Sequence, residues 1–201
     1  DENEDDMHAS GIPAARGWRL DPRHADTFAF KDRVLRMFSE QLGILGWAPE
    51  HVAPGALPLV PERVTIKRIT NALTNAVFFV GYDAASLPAP PTVLLRVYGA
   101  GSEALLSRRA ELLILHTLSS LYEIGPHILG TFANGRVEEF YECYSIGQEG
   151  MRDLGTPRAE GPAHWVARRM REMHEVPLDV MRTILEQGDL KSTSAGFGRG
   201  I

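Results

Sequence analysis

The stretch RVTIKRITNALTNAVFFVGY at 63–82, followed by TVLLRVYG at 92–99 and IGPHILGTFANGRVEEFY at 124–141, decides the fold. Residues 63–69 alternate apolar and polar side chains, the period of two that turns one face of a strand inward. After the connection 70–75, residues 76–82 and 92–98 are short runs rich in Val, Phe, Leu and Tyr between turn formers, and read as two further strands. A long helix is predicted from Ser102 to about residue 122. Ser102 caps it, Glu103 suits the positive end of its dipole, and Leu105, Leu112, Leu115, Leu118 and Leu121 form its buried stripe. Residues 128–133 and 136–141 are two more strands, joined by Asn134-Gly135, the pair best suited to a type I′ turn. The order is β-β-β-α-β-β, an α+β class with a five-stranded antiparallel sheet and one long helix.

Outside this core, Phe30, Val34, Met37, Phe38 and Leu42 recur at steps of three and four within 25–42, with charged residues between them and Gly43 at the stop. That pattern predicts an amphipathic helix. Residues 1–23 hold an acidic run with Gly11, Pro13, Gly17 and Pro22 and no sustained period, and read as a flexible leader. A last helix is predicted at 163–175, burying Val166, Met170 and Met173, and the Gly/Ser-rich segment 187–201 reads as a mobile tail. The segments are therefore leader 1–23, helical extension 24–61, strand–helix lobe 62–143, linker and packing helix 144–186, and tail 187–201. There is no internal repeat.

The 201 residues are 44% hydrophobic, which suits one globular domain. Five of the 26 acidic residues lie in the first six positions, leaving 21 acids against 21 bases elsewhere. A neutral body argues against nucleic acid as partner, since phosphate binding needs a net positive face. No run approaches the roughly 20 apolar residues of a membrane span, and the acidic amino end is unlike a secretory signal. With a single cysteine, Cys143, no intrachain disulfide can form; a cytoplasmic location is the expectation. The seven histidines have no metal-ligand spacing.

Three strands, a helix and two strands are the order of the nucleotide-binding small lobe of kinases, with flanking helices here and no large catalytic lobe. In that architecture a cation on the third strand meets the ATP phosphates and is held by a helix carboxylate. Arg96 and Glu111 occupy those places and could form a salt bridge. Residue types alone leave open that both are surface groups. The connection Thr70-Asn71-Ala72-Leu73-Thr74-Asn75 would cover the phosphates but contains no glycine, so an ordinary hairpin loop is equally compatible. The segment 138–142 could pair backbone groups with an adenine edge, or be an edge strand entering a loop.

The runs VLLRVYG (93–99), RRAELLIL (108–115), IGPHILGTFANGRVEEF (124–140) and ARRMREMH (167–174) together resemble the small lobe of the choline/ethanolamine kinase family. RITNALTNAVFFV (68–80) resembles its phosphate loop in a form associated with fungal members. The likeness covers about 60–176, with a looser one over 25–60. It implies an enzyme that transfers the ATP γ-phosphoryl group, with Mg2+, to the hydroxyl of choline or ethanolamine in phospholipid biosynthesis. Arg96 would touch phosphates, Glu111 would orient it, residues 70–75 would cover the phosphates, and the backbones of Glu139 and Tyr141 would receive adenine. Asn71 and Ala72 stand where the family usually has paired glycines.

The family's His-x-Asp-x4-Asn stretch and its later metal-binding Asp motif do not follow the lobe in this chain. His24-Ala25-Asp26 begins such a stretch, but Lys31 takes the asparagine place and the segment precedes the lobe. No catalytic or metal-ligating residue is therefore assigned. The reading is an amino-terminal portion of such a kinase, inactive by itself, with apolar surface from Val97, Phe140 or the last helix left exposed. The alternatives are a non-catalytic module derived from a kinase, and another small-molecule kinase of the aminoglycoside phosphotransferase type. Gly99-Ala100-Gly101-Ser102-Glu103-Ala104 also fits the form of a dinucleotide fingerprint, but Arg96 interrupts the strand and no acid ends the next one.

Overall fold

A computed structural model describes residues 11–48, 57–69, 75–84, 89–99, 108–156, 159–183 and 186. The acidic run, the loop Thr70–Thr74, the start of the long helix with Leu105, and the tail lie outside the described residues.

The elements are β1 (Ala14–Ala15), α1 (Phe28–Arg36), β2 (Val64–Arg68), β3 (Asn75–Tyr82), β4 (Val93–Tyr98), α2 (Arg108–Tyr122), β5 (Ile128–Phe132), β6 (Gly135–Glu139), α3 (Gln148–Arg152), β7 (Gly155–Thr156), β8 (Ala159–Glu160) and α4 (Pro162–His174). The β-β-β-α-β-β core of a kinase-like small lobe is present, its sheet having one strand more than predicted, and β7 and β8 form a separate two-stranded pair. The sheet has six strands in the order β1-β5-β6-β4-β3-β2, antiparallel except for β1 against β5.

The extra strand comes from the segment read as a flexible leader. Ala14 and Ala15 lie beside Thr131 and Phe132, Ile12, Ala15 and Leu20 are buried, and the Thr131 amide donates to the Pro13 carbonyl at 2.9 Å. Asn134 completes the attachment. Its Oδ1 accepts from the Leu20 amide at 3.0 Å and its Nδ2 donates to the Leu20 carbonyl at 2.8 Å, so a side-chain amide stands in for a strand partner. A two-residue strand has no alternation to read, and the glycines and prolines around it carry a loop signal.

The hairpin at 128–139 also turns differently. Phe132 pairs with Gly135, so Ala133 and Asn134 are the loop residues, and neither has the positive φ of a type I′ turn. Gly135 is needed for another reason: a Cβ there would run into the Phe132 ring and the Arg96 carbonyl.

Helix α1 starts at Thr27, whose hydroxyl accepts from the Phe30 amide at 3.2 Å, and continues as a π turn over Met37–Gln41. It stops at Gly43 with φ 58°, where Ile44 N donates back to the Phe38 carbonyl at 3.0 Å. All five residues of its predicted apolar stripe are buried. They cover one face of the sheet, sharing a core with Phe78, Val80, Val93, Leu95, Val97 and Val137. Trp47 seals that core, edge-on to Phe38 at 5.2 Å, with its indole N–H donating to the Pro91 carbonyl at 2.9 Å. Val97, expected to be exposed, is fully buried because this helical extension lies over it.

The last helix does not bury its predicted stripe. Met170 and Met173 are exposed, Val166 is half-buried, and Trp165 also faces solvent. Its neighbours are the short α3 and β7, too small to cover an apolar face. One tie reaches the lobe: Arg169 Nη2 donates to the Glu123 carbonyl at 3.0 Å. Among the described residues no helix is long and apolar enough to cross a membrane.

Candidate functional site

The face of the sheet opposite the extension carries the charged residues, and strand alternation puts them there. On β4 the odd positions Val93, Leu95 and Val97 enter the core, so Leu94, Arg96 and Tyr98 face away. The same holds on β6, where Val137 enters the core and Arg136 and Glu138 take the other side. Arg96 lies directly across from Arg136, and Asn75 from Tyr98. Helix α2 passes over this face, and Leu112 and Leu115 settle against Ile128 and Ile12. That places Glu111 above the strands.

The expected Arg96–Glu111 pair does not form. Glu111 Oε1 accepts from Arg136 Nη1 at 2.8 Å, and Arg96 Nε lies 3.6 Å from Glu138 Oε1. Arg136 Nε also donates to that same Glu138 oxygen, and Arg136 Nη1 lies 3.1 Å from the Tyr98 hydroxyl. The result is a chain running Glu111–Arg136–Glu138–Arg96. The helix packs on β5, one strand from β6 with its Arg136 and two from β4 with its Arg96. Burial works against the Arg136 cation, but Tyr98, Glu138 and Glu111 outweigh it and hold its pKa above the ordinary arginine value. The guanidinium of Arg108 stacks on the Tyr98 ring at 3.6 Å, closing the end of the cluster.

Arg136 and Glu138 were missed in the sequence. Their signal was present: opposite charges two apart in a strand share one face, and a helix carboxylate needs a cation within reach.

The remaining candidates are placed as follows. Asn75 opens β3, and its Oδ1 is buried with no hydrogen-bond partner among the described residues; Thr70, Asn71, Ala72, Leu73 and Thr74 lie outside them. Glu139 ends β6, and its amide donates to the His127 carbonyl at 2.9 Å. Tyr141 follows the strand and is half exposed. Its hydroxyl donates to Glu139 Oε2 at 2.9 Å, and burial together with that carboxylate raises the phenol pKa. Phe140 packs on Phe79 at 4.8 Å, so this expected exposed residue is half-buried.

Arg96 and Arg136 share Glu138 on this face, and Glu111 meets Arg136 from the helix. Arg96 Nε is buried without a hydrogen-bond acceptor, while its side chain stays 30% exposed. A guanidinium backed by a buried carboxylate and still partly open to solvent is of a chemistry that suits a phosphate chain. The two carboxylates are taken by arginines, and no group of three His, Cys, Asp or Glu able to hold a metal ion lies among the described residues.

The sequence profile of choline/ethanolamine kinase matches residues 66–193, well over half of the chain. A choline kinase of Schizosaccharomyces pombe is 34% identical over 162 residues, covering 78% of this chain and 31% of that protein. A choline kinase of Saccharomyces cerevisiae is 37% identical over 59% of this chain and 19% of its own, and an ethanolamine kinase of that yeast is 31% identical over 62% and 21%. This chain spans less than a third of the length of these curated relatives. The matched region holds the strands, the helix and the charged face together, and the chain belongs to the choline/ethanolamine kinase family.

Proposed function

We propose that this chain is the ATP-facing small lobe of an enzyme that transfers the γ-phosphoryl group of ATP to the hydroxyl of choline or ethanolamine. The observation that carries the reading is Arg96: a sheet-face cation, partly open to solvent and backed by the buried Glu138, inside the region matched to the family. Phosphoryl transfer is mostly positioning and charge stabilisation, and a cation held from behind by buried carboxylates supplies both. In this reading Thr70 to Asn75 cover the phosphates, and the Glu139 and Tyr141 backbones receive adenine. Mg2+ accompanies ATP in the reading and takes its ligands from elsewhere.

The test is the reading frame itself and its product. Sequence following Ile201 is expected to contain His-x-Asp-x4-Asn, and the complete product to convert choline or ethanolamine to its phosphate ester when supplied with ATP and Mg2+. A frame that stops without the motif, with no transfer to either alcohol, would overturn the enzymatic reading in favour of a non-catalytic module.

A further inference from the structure

Two opposite charges on β6 change which carboxylate governs Arg96. Arg96 and Arg136 are direct cross-strand partners, and like charges in that relation repel. The repulsion is relieved by a single oxygen. Glu138 Oε1 lies 3.6 Å from Arg96 Nε and accepts from Arg136 Nε, and the side chains of Arg136 and Glu138 are only 4% and 7% exposed. A carboxylate so buried is held in one place by its packing, and it fixes the two cations that share it. Glu111 is different. It is 35% exposed, stands on the helix and, among the described residues, meets the cluster through Arg136 Nη1.

We propose that Glu138 is the positioning residue for Arg96, and that Glu111 anchors α2 to Arg136 without setting where Arg96 sits. The proposal rests on the reading of Arg96 as a phosphate contact. Loss of Glu138 leaves two guanidiniums face to face and releases Arg96, whereas loss of Glu111 loosens the helix and leaves Arg96 where it is.

The experiment is 15N–1H spectroscopy of arginine Nε–Hε groups in the 201-residue chain, the Arg96 signal being assigned with Arg96→Lys. Glu138→Gln is expected to displace the Arg96 signal, and Glu111→Gln to leave it in place while moving that of Arg136. An Arg96 signal that moves in Glu111→Gln overturns the proposal. This arm decides even if Glu138→Gln fails to fold, because Glu111 is partly exposed and its amide variant keeps the buried pair. ATP is then titrated into the same samples. Glu138→Gln is expected to weaken it about tenfold and Glu111→Gln less than about threefold, the loss expected when one charge-assisted contact is misplaced. Equal weakening by the two variants counts against the proposal. If ATP moves no signal of the unsubstituted chain, the phosphate reading of Arg96 fails, and the first arm still decides what positions it.

Discussion

Arg136 is the residue on which the charged face depends. Its guanidinium joins a buried carboxylate, a helix carboxylate and a phenol, so Arg136→Met strands Glu138 without its main partner. Breaking a buried pair from one side costs about 3–5 kcal/mol; denaturant unfolding of Arg136→Met should show a loss of that order. Because the folded pKa of Arg136 is raised above the ordinary arginine value, the guanidinium stays charged throughout the neutral and alkaline range and its contribution disappears only as pH climbs through the higher folded value. The stability difference between wild type and Arg136→Met is therefore expected to stay constant from neutral pH up to that range, where its carboxylate partners are ionised. Gly135 makes a second point at this scale. The Arg96 carbonyl is backbone and cannot step aside for a Cβ, so Gly135→Ala should cost about 1–3 kcal/mol by overpacking. An Ala variant as stable as wild type would show that this strand can shift. Tyr141 gives a spectroscopic check: its phenol is expected to ionise above the usual 10, and the absorbance difference between wild type and Tyr141→Phe should appear only at correspondingly high pH.

At the scale of elements, most of the sheet was legible in the sequence. The alternation in β2, the apolar runs of β3 and β4, and the hairpin of β5 and β6 are local patterns, and burial turned each into a strand. Helix α2 ends where its leucine pattern ends, with Glu123 at φ 52° and Ile124 N bonded to the Leu118 carbonyl at 3.0 Å. What was not legible is what depends on distant partners. Ala14–Ala15 is a strand only because β5 offers it an edge, and Asn134 reads as a turn residue although its side chain holds Leu20 in place from 114 positions away. The same limit explains the site. Arg96 and Glu111 could be picked from element order, but their actual partners follow from register and helix placement. The attachment of the leader is checked with Asn134→Ala. That variant forfeits two hydrogen bonds to partly buried backbone and should lose about 2 kcal/mol, at about 1 kcal/mol per bond; no loss would mean that strand pairing with β5 and the burial of Ile12 and Leu20 hold the leader without that amide.

For the whole molecule, the extension and the sheet share one core, whereas α4 leaves Trp165, Met170 and Met173 in solvent. Apolar residues left more than half exposed contribute little to stability but favour association. The combined variant Trp165→Ser, Met170→Gln, Met173→Gln is expected to unfold within about 0.5 kcal/mol of wild type and to scatter less light at high concentration. A large destabilisation would show that this face is covered. The account's central claim is that the face opposite the extension receives the phosphates of ATP through Arg96. With ATP near its dissociation constant the stabilisation is only about 0.4 kcal/mol, so a thermal shift is a poor reporter. The direct measurement is a 31P titration of ATP with the 201-residue chain and with Arg96→Met. Displacement of the phosphate resonances by the unsubstituted chain, weakened about tenfold or more by removal of the charged contact, is the expected result; equal displacement by both proteins, or none by either, would contradict it.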